Sequence, residues 1–240
     1  MPSGRKPLAI MARSGHSTAH SAANEGPVTR PGRRATYRHG DLQRALLEAG
    51  IALAREGGPD AIVLREATRR AGVVPNAAYR HFANRLALFE AVRAAALSML
   101  AHTMEAELDS VGRGQGSGDA RECARARMRA VGAGYLRFAQ AEPGLFRTAF
   151  ASAAAVEYDA DPAKAGLSGM NPFQLLGAAL DRLVACGALP ADRRPGAEYL
   201  AWSAVHGLAL LLLDGPLRHA DPDQRRTLEE RVLRMVEDGL

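Results

Sequence analysis

Pro75, Asn76, Ala77, Tyr79, Arg80, His81 and Arg85 fall within GVVPNAAYRHFANR, residues 72–85, which gathers amide, phenol, imidazole and guanidinium groups in one short stretch. Such groups suit contact with a polyanion: amides and guanidiniums read base edges, while phenol, imidazole and arginine hold phosphate oxygens and fix the register. Nothing comparable is offered for catalysis. His39, His81, His102, His206 and His219 are scattered, and no GxSxG, HExxH or paired-carboxylate spacing accompanies them, so an enzyme is not expected. The glycines of GRGQGSGD, residues 112–119, miss the order of a phosphate loop and follow no strand. Cys123 and Cys186 form no CxxC pair and have no His or Cys at metal spacing. No metal, cofactor or disulfide is therefore expected, and both thiols are read as free and buried.

Residues that read a polyanion need a rigid element beneath them. In HGDLQRALLEAGIALAREGG, Leu42, Ala45, Leu46, Ala49 and Leu53 repeat at helical spacing, with Asp41 near the start and Gly57-Gly58 at the end. A second helix is predicted over 62–71 and stopped by Gly72; Pro75 opens a short third helix over 75–82, because its fixed φ suits a first turn. A fourth runs from Arg85 towards Leu108, followed by a flexible connection over 112–119. Further helices are predicted over 121–140, 143–150, 172–186, 196–213 and 222–237, and no period-two alternation stands out. The fold class is all-α. Two helices separated by a glycine turn, the second of them short, form a helix-turn-helix whose second helix fits a major groove about 12 Å wide. On this reading Pro75, Asn76, Ala77 and Arg80 lie on the groove side, Tyr79 and His81 reach phosphates, Arg85 adds a cation and Phe82 packs inward.

Charge supports that polarity. Counting Lys and Arg against Asp and Glu, residues 1–36 carry 6 against 1, residues 37–93 carry 9 against 6, and residues 94–240 carry 16 against 19. A basic front on an acidic back fits one end meeting a polyanion. Residues 1–36 are rich in Ser, Gly, Pro and Arg and are expected to be a disordered basic tail. Arg33 and Arg34 could enter an adjacent minor groove, the alternative being a plain solubilising tail. The longest apolar run, LALLLL at 208–213, falls short of the roughly 20 residues of a membrane span. PLAIMA at 7–12 is too short for a signal-peptide core, and a cytoplasmic protein is expected.

Two sets of apolar residues in the back part invite functional readings. Tyr135, Phe138, Phe146, Phe150, Met170, Phe173, Leu176, Trp202 and His206 could line a pocket for a small apolar or aromatic effector, with core packing as the alternative. Leu200, Ala204, Leu208, Leu211 and Leu212, with Leu228, Val232 and Met235 of the last helix, form the candidate interface of a homodimer, since reading a palindrome needs a two-fold axis.

LREATRRAGVVPNAAYRHFANRLALFEAV, residues 64–92, resembles the DNA-binding domain of the TetR family of bacterial transcriptional regulators. The resemblance implies that Arg65 reaches a base edge and that Tyr79, His81 and Arg85 contact phosphates. YLRFAQAEPGLFRTAF, residues 135–150, and WSAVHGLALLLLDGPL, residues 202–217, resemble the helical ligand-sensing and dimerisation domain of a subgroup marked by Trp followed by His-Gly. The implied organisation is a tail over 1–36, a helix-turn-helix domain over 37–93 and an effector-binding and dimerisation domain over 94–240. Val63 and Val74 depart from the pattern: they stand where the family usually has a Thr and a Ser that cap the second and third helices, hydroxyls worth about 1 kcal/mol each. The expected function is a DNA-binding transcriptional regulator, a homodimeric repressor released from a palindromic double-stranded operator by its effector. The alternative is a helical dimeric interaction protein that has lost DNA binding.

Overall fold

The computed structural model describes residues 39–114, 119–151 and 161–240. The expected tail over 1–36, with Arg33 and Arg34, and positions 115–118 of the glycine-rich connection lie outside the described residues. Among the described residues there are helices and turns and no strand.

Helix α1 (His39–Gly57) and the 3-10 turn Pro59–Ala61 lead into α2 (Leu64–Arg70) and the one-turn α3 (Pro75–Ala78). Leu46, Leu53, Ile62, Leu64, Ala67, Ala78, Phe82 and Leu88 are buried among these elements and the start of α4. Their burial fixes the angle at which α2 and α3 cross. The turn between the two is a Schellman motif: Val73 N–H donates to Thr68 O at 3.1 Å and Gly72 N–H to Arg69 O at 3.3 Å, with Gly72 at φ 67°. Thr68, buried where the helices meet, donates its hydroxyl to Arg65 O at 2.6 Å and so leaves no polar atom stranded. α3 ends four residues earlier than the sequence predicts. After Ala78 the chain tightens into turns in which His81 and Phe82 N–H both donate to Ala78 O at 2.9 Å.

Helix α4 (Arg85–Gly114) starts on Asn84, whose Oδ1 accepts the Ala87 N–H at 2.9 Å. It runs unbroken through the expected 93/94 boundary, so the front and back parts share it, and the described residues between 39 and 240 pack as one unit. It also continues past Leu108 through Gly112, into the stretch expected to be a flexible connection. By length and composition α4 could cross a membrane, yet Leu88, Val92, Ala96, Leu100, Ala101 and Met104 are buried against the rest of the chain. Gly50 of α1 lets α4 approach closely, since a Cβ there would lie 2.7 Å from Val92 Cγ2. Helix α5 (Ala120–Ala141), capped by Asp119, touches α4 backbone to backbone at Gly134, where a Cβ would lie 2.6 Å from Met104 Cα.

The remaining helices are α6 (Pro143–Ala149), α7 (Pro172–Ala185), α8 (Ala197–Leu213) and α9 (Pro222–Gly239). α7 opens with a capping box in which Asn171 Oδ1 accepts Gln174 N–H and Gln174 Oε1 accepts Asn171 N–H, each at 2.9 Å. α9 is capped by Asp221. These bounds follow the proline and glycine punctuation of the sequence. Cys123 and Cys186 are free and half-buried.

One buried charge stands out. Arg93 is 1% exposed, its Nε and Nη1 have no hydrogen-bond partner among the described residues, and the Glu90 carboxylate is 3.9 Å away. Desolvating a guanidinium without full compensation costs stability, and apolar replacements of buried charges have gained 1–4 kcal/mol elsewhere. Arg93→Met is therefore expected to raise the melting temperature by a few degrees, roughly 2–4 °C per kcal/mol gained for a chain of this size. A lower melting temperature in a thermal melt would show that the guanidinium is better satisfied than its contacts indicate.

Candidate DNA-reading face and internal cavity

α2, α3 and the turn after α3 present Arg65, Asn76, Tyr79 and Arg80 on the exterior, with Tyr79 57% exposed. Ala77 and His81 are half-buried, and Pro75 is the first residue of α3. The ion pairing of 39–93 separates these arginines from their neighbours. Arg44 pairs with Asp41 and Glu48, Arg55 with Glu142, Arg69 with Glu66, and Arg70 with Glu56 and Glu66. Hydrogen bonds from Arg69 and then Arg70 hold the Glu66 carboxyl down at about 2, so both arginines stay engaged at neutral pH. Among the described residues Arg65 and Arg80 have no carboxylate partner and remain available to an external anion.

Arg85 behaves differently. Its Nε donates to Ile62 O at 2.8 Å and its Nη2 to Pro59 O at 3.1 Å, tying the start of α4 to the α1–α2 connection. Those carbonyls occupy part of its donor fork, so its first role is to position the reading head. Val63 caps α2 without a side-chain hydrogen bond, and Val74, ahead of α3, is 69% exposed. Both valines expose their methyl groups ahead of the first turns of α2 and α3.

Behind the head, α4, α5, α7, α8 and α9 enclose a largely apolar cavity with about 60 Å³ of room for the centres of water-sized groups. That is several times the roughly 10–15 Å³ that one water needs. Of the nine residues expected there, Tyr135, Phe150, Phe173, Leu176 and Trp202 line it. Phe138 and Phe146 instead fill the core, and Met170 is half-buried. His206 adjoins the cavity through Tyr135, whose hydroxyl lies 2.7 Å from His206 Nδ1 and accepts Trp202 Nε1–H at 3.0 Å. Burial lowers the His206 pKa and raises that of the Tyr135 hydroxyl, so a neutral phenol and a neutral imidazole share this hydrogen bond, its direction set by the imidazole tautomer. Phe146 and Phe150, 5.0 Å apart between centroids, pack edge-on or tilted against the Tyr135 and His206 rings.

Sequence reasoning missed the wall formed by Lys164, Asn171 and Pro172, and the α4 residues Leu97 and Met104. That wall is clamped. The Glu105 carboxylate of α4 accepts Leu167 N–H at 2.8 Å, Ser168 N–H at 2.9 Å and the Ser168 hydroxyl at 2.5 Å, and Gly166 leaves it room. Burial pushes the Glu105 pKa up, but the bonds from Ser168 and Leu167 outweigh it and the net shift is downward. A depressed carboxyl pKa contributes stability that is present above the ordinary glutamate value of about 4.3 and lost as pH falls through the lower folded value. Glu105→Gln should loosen the loop at neutral pH, and amide exchange at Leu167 and Ser168 should quicken in the variant. Unchanged exchange there would mean that other contacts hold the loop.

Comparison with known proteins agrees with this geometry. The family profile for bacterial regulatory proteins of the tetR family matches residues 46–92, spanning most of α1 through the start of α4. The profile for the tetracyclin repressor-like C-terminal domain matches residues 128–236, spanning most of α5 through α9. The chain belongs to the TetR family. It is a DNA-binding transcriptional regulator. A structure of a protein of unknown function from Rhodococcus sp. RHA1 superposes with a TM-score of 0.64 at 24% identity, covering 86% of this chain and 99% of that one. A candidate tetR-family transcription regulator from Shewanella sp. PV-4 superposes with a TM-score of 0.52 at 16% identity, covering 82% and 97%. At these identities the likeness is one of fold. The search of curated proteins returns no match.

In this TetR chain α8 is divided into two faces. Leu208 and Leu212, expected at a dimer interface, are buried with Ala201, Val205 and Ala209 inside the protomer. The opposite face carries Leu200, 63% exposed, and Leu211, with Ala204 and Gly207 between them; a Cβ on Gly207 would meet nothing within 4 Å. On α9, Met235 is 59% exposed while Leu228 and Val232 are half-buried.

Proposed function

We propose that the protein is a homodimeric, cytoplasmic repressor that reads a palindromic operator with two copies of the α2–α3 head and releases it when a small apolar or aromatic molecule fills the cavity. Arg65, Pro75, Asn76, Ala77 and Arg80 are assigned to the groove. Tyr79 and His81 are assigned to phosphates, which Arg85 reaches with the donors left over from its positioning bonds. The dimer forms through the outer face of α8 with α9, where Leu200, Ala204, Leu211, Leu228, Val232 and Met235 lie. Small residues between leucines let two helices approach closely.

The observation that carries this reading is the position of α6. At one end Phe146 and the following Phe150 stack in the aromatic cluster at the cavity. At the other, Gly144 lies so close to α1 that a Cβ would be 2.1 Å from Ala54 O, and Glu142 accepts Arg55 Nε–H at 2.9 Å. A ligand that displaces Phe150 moves a rigid helix seated on the head. The coupling equals the ligand's preference for one head position over the other.

The test is a gel-shift assay with the DNA upstream of the protein's own gene, at two salt concentrations. Retardation that weakens steeply with salt supports the reading. Dimerisation with indifference to every fragment would instead favour the interaction protein, the role to which the uncapped Val63 and Val74 would be suited.

A further inference from the structure

The turn between α2 and α3 carries an apolar side chain among polar ones. Between residues 72 and 80 the exposed side chains of the described residues are Val74, Asn76, Tyr79 and Arg80; of these Val74, 69% exposed, can neither donate nor accept a hydrogen bond. Resting on the assignment of the α2–α3 head to the major groove, we propose that Val74 sets operator specificity by seating its methyl groups against the C5-methyl of a thymine.

The groove itself selects this partner. Each base pair presents hydrogen-bond donors and acceptors there, and the thymine methyl is the apolar feature among them. A valine pressed against guanine N7 and O6, or against the cytosine amino group, strips their water and returns no hydrogen bond, a desolvation cost. Against a thymine methyl it displaces water from apolar surface on both sides. Discrimination therefore has two sources, a gain with thymine and a penalty with a G·C pair. Val63 is also exposed, yet it caps α2, the helix that crosses the sugar-phosphate backbone in this motif, where no base methyl is met. Val74 precedes the helix whose opening residues meet base edges.

The backbone holds Val74 in place before DNA arrives. Gly72, at φ 67°, turns the chain; Val73 N–H then donates to Thr68 O at 3.1 Å, and the half-buried Val73 side chain packs against the core. On the other side Val74 O accepts the Ala77 N–H at 3.0 Å and closes the first turn of α3. Valine is branched at Cβ and stiff about χ1, so little rotamer freedom is lost on docking. A rigid apolar group of this kind reads a base and adds nothing to the grip on phosphates.

Binding sites would be selected from random duplexes with the full chain, and each thymine of the selected site then replaced singly by deoxyuridine, which pairs identically and lacks only the methyl. In anisotropy titrations one thymine position should stand out, its replacement weakening binding by the natural chain roughly 4-fold, the worth of one buried methyl-sized group. Val74→Ala should bind the thymine and uracil duplexes alike, and Val74→Ile should restore the preference. Val74 is exposed, so neither change removes core packing. No thymine with a methyl effect, or a methyl effect that Val74→Ala leaves intact, would overturn the assignment of Val74, while binding that falls steeply with salt would leave the reading of the head standing. No salt-sensitive binding of any duplex would overturn both.

Discussion

Gly144→Ala is expected to lower stability by about 1–3 kcal/mol, the usual cost of overpacking a tight contact. For a chain of this length that corresponds to roughly 2–4 °C of melting temperature per kcal/mol. The neighbours at fault are backbone atoms, Ala54 O at 2.1 Å and Arg55 O at 2.7 Å, and cannot rotate away as a side chain would. α6 must therefore lift from α1. The Arg55–Glu142 pair, half-exposed on the arginine side, is too weak to hold the two together against that displacement. Because Phe150, the residue that caps α6, lines the cavity, the variant should bind operator DNA less tightly without effector and respond less when effector is added. A thermal melt and an anisotropy titration on labelled operator measure both consequences. An unchanged melting temperature would mean that α6 is not seated on α1, and the proposed coupling route would go with it.

That route was not legible in the sequence, although its parts were. Pro143 signalled the start of α6, and the aromatic spacing suggested a pocket, but the closeness of Gly144 to Ala54 joins residues far apart in the chain. Contacts of that kind have no local signature. The same holds for Arg85, which appears by spacing to be a cation on the DNA side and is found donating to Ile62 O and Pro59 O. It holds again for the clamp from Glu105 to Ser168. Helix positions, by contrast, could be read almost throughout, since apolar periodicity and proline or glycine punctuation act locally.

Two local errors have physical reasons. α3 ends at Ala78 because the backbone tightens there to carry Phe82 into the core, a tertiary demand. α4 continues through Gly112 because a glycine costs a helix only about 1 kcal/mol, which a helix already packed along most of its length can absorb. The phase of α8 was the least readable feature. LALLLL is apolar on every side, so periodicity could not tell that Leu208 and Leu212 turn inward and Leu211 outward.

Arg65→Ala and Arg80→Ala should produce the largest losses in DNA binding with the smallest losses in folding. Both side chains are exposed and neither has a carboxylate partner among the described residues, so removing them leaves nothing buried and uncompensated. If Arg65 meets a base edge, its removal should cost about 1–3 kcal/mol, roughly 5- to 150-fold in affinity, and relax preference at one operator position. An arginine that meets phosphate should weaken all sequences alike and lower the slope of log K against log salt by about 1. Arg85→Ala should separate from both, since stranding the Ile62 and Pro59 carbonyls lowers the melting temperature as well as DNA affinity. Anisotropy titrations at several salt concentrations, with melts of the same preparations, distinguish the three patterns. Full operator affinity in an Arg65→Ala, Arg80→Ala double variant would place the reading surface elsewhere on the molecule, because among the described residues of the head these are the two exterior guanidiniums that its own carboxylates and carbonyls leave unclaimed.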